Sequence, residues 1–249
     1  MRTSLHGLAI SIALVGLGGL ACAPGTPGGI QYASGEGSVT VDGLHLVQWE
    51  PFRTTYVKPG ADLQRYTKVA VQEVTVSYKT PPRPGHFEQD GIDPNYALPD
   101  SALVSLKKYF HEAFVKALGE SKEFTIVDAP GPDVLLLSGH IVNLEISVPP
   151  ERDQDPDETI IASSAGQMTL ILDARDSQSG EPLVRVGQAQ AIQMADGGFY
   201  ESDPVSNSSA VREMFQAWAS DLRRELDQFR ALPELPPLNE PASYVAPKS

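Results

Sequence analysis

Asp133-Val134-Leu135-Leu136-Leu137-Ser138-Gly139-His140-Ile141-Val142-Asn143-Leu144-Glu145-Ile146-Ser147-Val148 is the stretch whose reading decides the fold. Residues 134–137 are apolar on both faces, the pattern of a strand buried from two sides. The second half alternates, with Val142, Leu144, Ile146 and Val148 set against Asn143, Glu145 and Ser147. It reads as the same strand continuing with one wet face. Such a strand belongs at the centre of a sheet.

The flanking sequence supplies its neighbours. Met168, Leu170, Leu172 and Ala174 alternate with Gln167, Thr169, Asp173 and Arg175. Asp176-Ser177-Gln178-Ser179-Gly180 is a turn, and residues 183–192 return as the second arm of a hairpin. On the other side, residues 124–127 form a short strand that Pro130-Gly131-Pro132 turns. Residues 67–78 are β-branched and strand-like, with a phase slip at Gln72-Glu73 that marks a bulge or a change of partner. Pro81, Pro82, Pro84 and Gly85 then enforce a loop to about Pro99.

Two segments carry a helical period. Leu103, Leu106, Phe110, Phe114, Ala117 and Leu118 share one face of a helix over 100–118, capped by Asp100 or Ser101 and stopped by Gly119. Val211, Met214, Phe215, Trp218, Leu222, Leu226 and Phe229 form the apolar face of a helix over 208–230, capped by Ser206 or Asn207. Glu225 falls inside that stripe. The order strand, helix, strands, hairpin, helix predicts an α+β fold. It is a mainly antiparallel sheet with two amphipathic helices packed on one face, a two-layer sandwich.

The N-terminus has the layout of a signal peptide over 1–21. A short region with Arg2 and His6 precedes an apolar run over 8–21, too short for the ~20 residues a spanning helix needs. Two cleavage readings stand. Ala21-Cys22-Ala23 fits small-x-small cleavage, but that cut leaves Pro24 first and places a tertiary amide at the scissile bond. The other reading resembles a lipobox: cleavage before Cys22, with a diacylglyceryl group on its sulfur. Gly19 departs from that pattern, since Leu20 stands one place late. Cys22 is the one cysteine of the chain, so no internal disulfide forms. Ala23, not an acid, follows Cys22, which in the enteric pattern implies the outer membrane, with the protein facing the periplasm.

Residues 22–43 then read as lipidated Cys and flexible tether, 44–230 as the folded domain, and 231–249 as a Pro-rich tail. The chain carries 19 Lys and Arg against 32 Asp and Glu, a net charge of −13. A surface this acidic repels phosphate backbones, which excludes nucleic acid as a partner and attachment to lipid headgroups through a basic patch.

Several stretches, in order, resemble the DUF3313 family of bacterial lipoproteins, which have no assigned function. They are Tyr56-Val57-Lys58-Pro59-Gly60-Ala61-Asp62-Leu63 with Arg65-Tyr66 and Lys68-Val69, then Tyr109-Phe110-His111-Glu112-Ala113. Asp176-Ser177-Gln178-Ser179-Gly180-Glu181-Pro182-Leu183 and Trp218-Ala219-Ser220-Asp221-Leu222-Arg223 follow. The resemblance spans about 44–230. It implies an anchored envelope protein and brings no catalytic residues with it.

Motifs of chemistry are few. No Gly-x-Ser-x-Gly elbow and no phosphate-binding glycine loop occurs in the mature sequence. His45, His86, His111 and His140 lack metal-ligand spacing. Asp153, Asp155 and Asp157 alternate as Ca²⁺ oxygen ligands would. Pro156 intrudes, however, and no glycine or distal Glu stands in register, so they are weak candidates in a solvated acidic loop. No cofactor is implied. The favoured expectation is a noncatalytic binding or accessory domain, held to the membrane by its N-terminal lipid and meeting an envelope protein through loops 80–99 or 149–165. The alternatives are a hydrolase of an envelope polymer, using Asp173 and Asp176 on a wet turn, and a structural spacer.

Overall fold

The structure, a computed structural model, describes residues 30–49, 51–82, 95–150, 159–194 and 196–232, with Leu235 and Leu238. The signal peptide over 1–21, Cys22 and the run holding Asp153, Asp155 and Asp157 lie outside the described residues. So do His86 and most of loop 80–99.

The elements run β1 (His45–Val47), β2 (Thr54–Val57), β3 (Lys68–Val71), β4 (Thr75–Tyr78), α1 (Asp100–Gly119), β5 (Thr125–Ile126) and β6 (Val134–Ile146). They continue with β7 (Ile161–Ala162), β8 (Gly166–Asp176), β9 (Pro182–Ile192), β10 (Tyr200–Glu201) and α2 (Pro204–Ala231). The large sheet has the order β1-β2-β9-β8-β6-β3-β5, with β4 also on β6, and β10 pairs β7 separately.

The fold is α+β with β6 at the centre of its sheet. The longest ladders, β6 on β8 and β8 on β9, are antiparallel. The sheet as a whole is mixed, because β3 and β4 run parallel to β6, and β5 runs parallel to β3. The cause is α1. A helix between β4 and β6 carries the chain back to the end it left, the connection a parallel pair requires. The slip at Gln72-Glu73 separates two strands that share one partner: Val71 stands opposite Leu137 and Thr75 opposite His140.

Both helices lie on the same face, as the registers show. Thr55, Val186, Leu172 and Gly139 are direct cross-strand partners and therefore point the same way. Glu225 of α2 bonds Thr55, and the Phe110 ring of α1 sits over Gly139, where a Cβ would stand 2.3 Å from it. Phe110 stacks on Phe114 at 4.3 Å and meets Phe215 edge-on at 5.8 Å, joining the two helices.

The helix ends differ from expectation. Pro99 occupies the N-cap of α1 and offers no side-chain bond, so Asp100 is the first helical residue and not the cap. Gly119 is the last residue inside α1, with Glu120 as a right-handed C-cap. The second helix starts a turn early. Asp203 accepts from the Val205 and Ser206 amides, Ser206 reciprocates, and Pro204 takes the first turn, where its missing N–H costs nothing.

The domain also begins before residue 44. Val39 pairs with His45 and Tyr32 with Val47, and Ile30 and Val39 are buried. Beyond α2, Leu235 is buried and exchanges backbone hydrogen bonds with Gly60 and Ala61.

Candidate functional site

Asp173 and Asp176, the carboxylate pair of the hydrolase expectation, do not converge. They lie three residues apart on β8 and project from opposite faces of the sheet. Both are buried, contrary to the wet turn expected. Asp176 accepts the Ser179 and Gln178 amides at 2.7 and 3.0 Å, the Tyr66 hydroxyl at 2.9 Å and Arg65 at 2.7 Å. The Ser179 amide, with the Tyr66 hydroxyl, holds its pKa down to about 2. Lys58 pairs with Glu181, and the Lys58 amide donates to the Leu183 carbonyl. Two of the stretches that carry the family resemblance therefore clasp each other, and their role is to fix the hairpin turn. Asp176→Asn should lower stability by roughly 2–3 kcal/mol in urea unfolding, because a charged, multiply bonded acceptor is lost from a buried place. A variant as stable as the parent would contradict this assignment.

On the outer face, Thr75 Oγ1 lies 2.8 Å from His140 Nδ1, and His140 Nε2 lies 3.8 Å from Asp173 Oδ2. The arrangement has the outline of a nucleophile, base and acid. It lacks the wiring: Asp173 is held by Arg185 Nε at 2.5 Å and Arg175 at 3.2 Å, and Arg185 also grips Asp42 at 2.8 Å. A carboxylate neutralised by two guanidiniums, beyond hydrogen-bond reach of the imidazole, neither orients that ring nor stabilises its cation. The other described histidines do not add to it. His45 is buried edge-on to Tyr32, with burial lowering its pKa, and His111 is exposed on α1. Among the described residues no cluster of His, Cys, Asp and Glu could hold a metal ion, and no helix is long and apolar enough to cross a membrane.

The feature that does converge is an apolar cleft of about 480 Å³ at the end of the sheet where α1 and α2 begin. A bulge in β6 builds its floor. Val142 faces Thr169 and Glu145 faces Gln167, so Asn143 and Leu144 together stand opposite Met168. Asn143 takes a left-handed φ of 52°. The extra residue turns Leu144 and Ile146 to the helix side that Ile141 already faces, and leaves Val142 on the other. The alternation of residues 142–148 thus does not define one face, as the sequence suggested. Gly166, at φ 150°, lies against the Glu145 carbonyl and brings Ala165 and Met168 under the cleft.

The walls come from the helix starts. Tyr96 N–H donates to the Ile146 carbonyl at 2.9 Å and Leu98 N–H to the Tyr78 hydroxyl at 2.8 Å, which sets Leu98 and Pro99 at the mouth. Ser101, Ala102, Ser105, Leu106 and Tyr109 of α1 face Pro204, Asn207, Ser208 and Val211 of α2. Among the described lining residues there is no Asp, Glu, His, Lys or Arg. The volume lies in the range of about 300–1,000 Å³ typical of ligand sites. Sequence reasoning missed this site. The available signal was the short side chains, Ser101, Ala102, Ser105, Asn207 and Ser208, that both helices place in their first two turns.

Two solved structures illustrate the distant likenesses. PelC from Paraburkholderia phytofirmans, solved as an L103M dodecamer, is 16% identical with a TM-score of 0.35, covering 68% of this chain and 96% of that one. Protein XCC0632 (DUF330) from Xanthomonas campestris is 12% identical with a TM-score of 0.32, covering 66% and 83%. Likenesses this weak transfer nothing about function. No curated protein matches the sequence. The family model described as "Protein of unknown function (DUF3313)" matches residues 50–222, more than half of the chain, and the protein therefore belongs to the DUF3313 family.

Proposed function

We propose that this DUF3313 protein is a noncatalytic binding domain of a bacterial cell envelope, tethered by a lipid on Cys22 and engaging its partner through the apolar cleft. The observation that carries the reading is the cleft itself: a ligand-sized apolar space whose described walls hold no carboxylate, imidazole or amine that could activate the serine and tyrosine hydroxyls there. A spacer needs no such space, and a hydrolase needs acids that converge, which Asp173 and Asp176 do not. Cys22 lies eight residues before the buried Ile30, a reach of at most about 28 Å. Such a lead would hold the domain close to its leaflet. Ala23 after the cysteine supports the periplasmic face of the outer membrane.

Two measurements test this. Growth with labelled palmitate should mark the protein, and Cys22→Ala should abolish the mark; a mark that persists in the variant refutes lipidation at this residue. A photoreactive amino acid replacing Ser105, irradiated in intact cells, should give one reproducible adduct. The same probe replacing exposed Glu112 on α1, away from the cleft, should not give it. No adduct at 105, or the same adduct from both positions, overturns the binding role of the cleft.

A further inference from the structure

We infer that the cleft takes one hydrocarbon chain of an anionic amphiphile from the surrounding leaflet, with Arg212 beside its headgroup. This deepens the binding reading above and rests on it.

The first argument is what the walls leave unoffered. Ser105 Oγ donates to the Ser101 carbonyl at 2.9 Å, and Ser208 Oγ to the Pro204 carbonyl at 2.6 Å. The Asn207 side-chain oxygen accepts from the Tyr200 hydroxyl at 2.9 Å, and its amide nitrogen donates to Ser202 Oγ at 3.1 Å. The polar groups that line the space are thus largely engaged with the protein itself. A peptide segment entering here would bring backbone N–H and C=O groups and leave them without partners, which is costly once water is excluded. A hydrocarbon chain brings none. Its burial against Leu106, Leu144, Ile146, Met168, Ile192 and Val211 is favourable in proportion to the apolar area covered.

The second argument is charge. Tyr109 lines the cleft, and the Arg212 guanidinium carbon lies 4.1 Å from the centre of its ring. Arg65, Arg175, Arg185, Arg223, Arg224 and Arg230 each hold a carboxylate. Among the described residues Arg53 and Arg212 hold none, and of the two it is Arg212 that stacks on a wall of the cleft, although the chain carries a net charge of −13. A cation without a counter-ion beside an apolar opening complements an anionic head joined to an apolar tail.

The test uses the full chain with Cys22→Ser, so that no acyl group of its own competes. Binding of oleate and of uncharged oleyl alcohol is measured by titration in detergent-free buffer. Oleate should bind one per chain. Ala102→Trp, which fills the cleft from α1, should weaken both ligands by more than about thirtyfold, and Ser208→Trp does the same from α2 if the first variant melts early. Arg212→Ala should weaken oleate by about tenfold and leave oleyl alcohol unchanged. Equal loss of both ligands, or of neither, in Arg212→Ala overturns the headgroup assignment. Absence of oleate binding, or binding that both tryptophan variants leave intact, overturns the hydrocarbon assignment. So does concentration-dependent dimerisation that Ala102→Trp abolishes, which would make a second copy the occupant. If oleate fails while the probe at 105 still yields a specific protein adduct in cells, this inference falls and the binding reading stands; if both fail, both fall.

Discussion

Gly166→Ala should destabilise the domain by roughly 3–5 kcal/mol, from backbone strain and overpacking together. The φ of 150° belongs to a region that residues with a Cβ seldom enter. The new methyl carbon would lie 2.0 Å from the Glu145 carbonyl oxygen and 3.1 Å from the Ile146 Cα. Neither neighbour yields easily. Glu145 and Ile146 are held in the ladder to Gln167 and Gly166, immediately after the bulge at Asn143. The strain would therefore enter the floor of the cleft, and ligand binding should fall with stability. For a domain of this size the midpoint should drop by about 10 °C. Gly187→Ala is the control: it sits in β9 with no backbone constraint and meets nothing nearer than 3.9 Å. Equal effects of the two substitutions would contradict the bulge geometry.

Glu225→Gln should stabilise the protein, by an amount that grows with pH. Glu225 is fully buried on α2; its Oε1 accepts from Thr55 at 3.1 Å and its Oε2 has no partner. Burial raises its pKa from 4.5 to about 8, and Asp221 adds to the rise. The sign follows from linkage. Between 4.5 and 8 the folded carboxyl keeps its proton while the unfolded one has lost it. Stability is therefore greatest below the lower value, falls as pH rises through that window, and is level above it. The glutamine variant is free of this loss. Its advantage should be near zero at pH 4.5, about 3 kcal/mol at pH 7 and about 5 kcal/mol at pH 9. Guanidinium unfolding at the three pH values reads the effect directly. An advantage that shrinks with pH, or a variant less stable throughout, would mean that the carboxylate is matched by a partner in the fold.

Much of the architecture was legible because it is local. The stripes through Phe110 and Phe215 place both helices, and Asp176 to Gly180 marks the hairpin turn because its side chains bond its own backbone. The parallel pairing of β3 and β4 with β6 was not legible, since residues 66 and 65 positions apart in the chain meet there and no local pattern records it. The bulge at Asn143 was hidden by composition: Ile141, Val142 and Leu144 are all apolar, so the phase change left no trace. Asp203-Pro204 is a helix-start signal legible in the sequence, an acidic cap followed by proline in the first turn, and it sets the start ahead of Ser206 and Asn207. Short side chains at the two helix starts were the one local trace of the cleft; its position was not legible, because its walls converge from segments near residues 100, 145, 167, 192 and 207.

Methyl resonances offer the most direct check that the cleft is where this protein binds. Met168 lines it, whereas Met214 is buried on α2 and is not part of its lining. With methyl-labelled methionine, addition of the amphiphile or partner recovered by crosslinking should shift Met168 and leave Met214 in place. Saturable binding that leaves the Met168 methyl unmoved would put the site elsewhere on the domain.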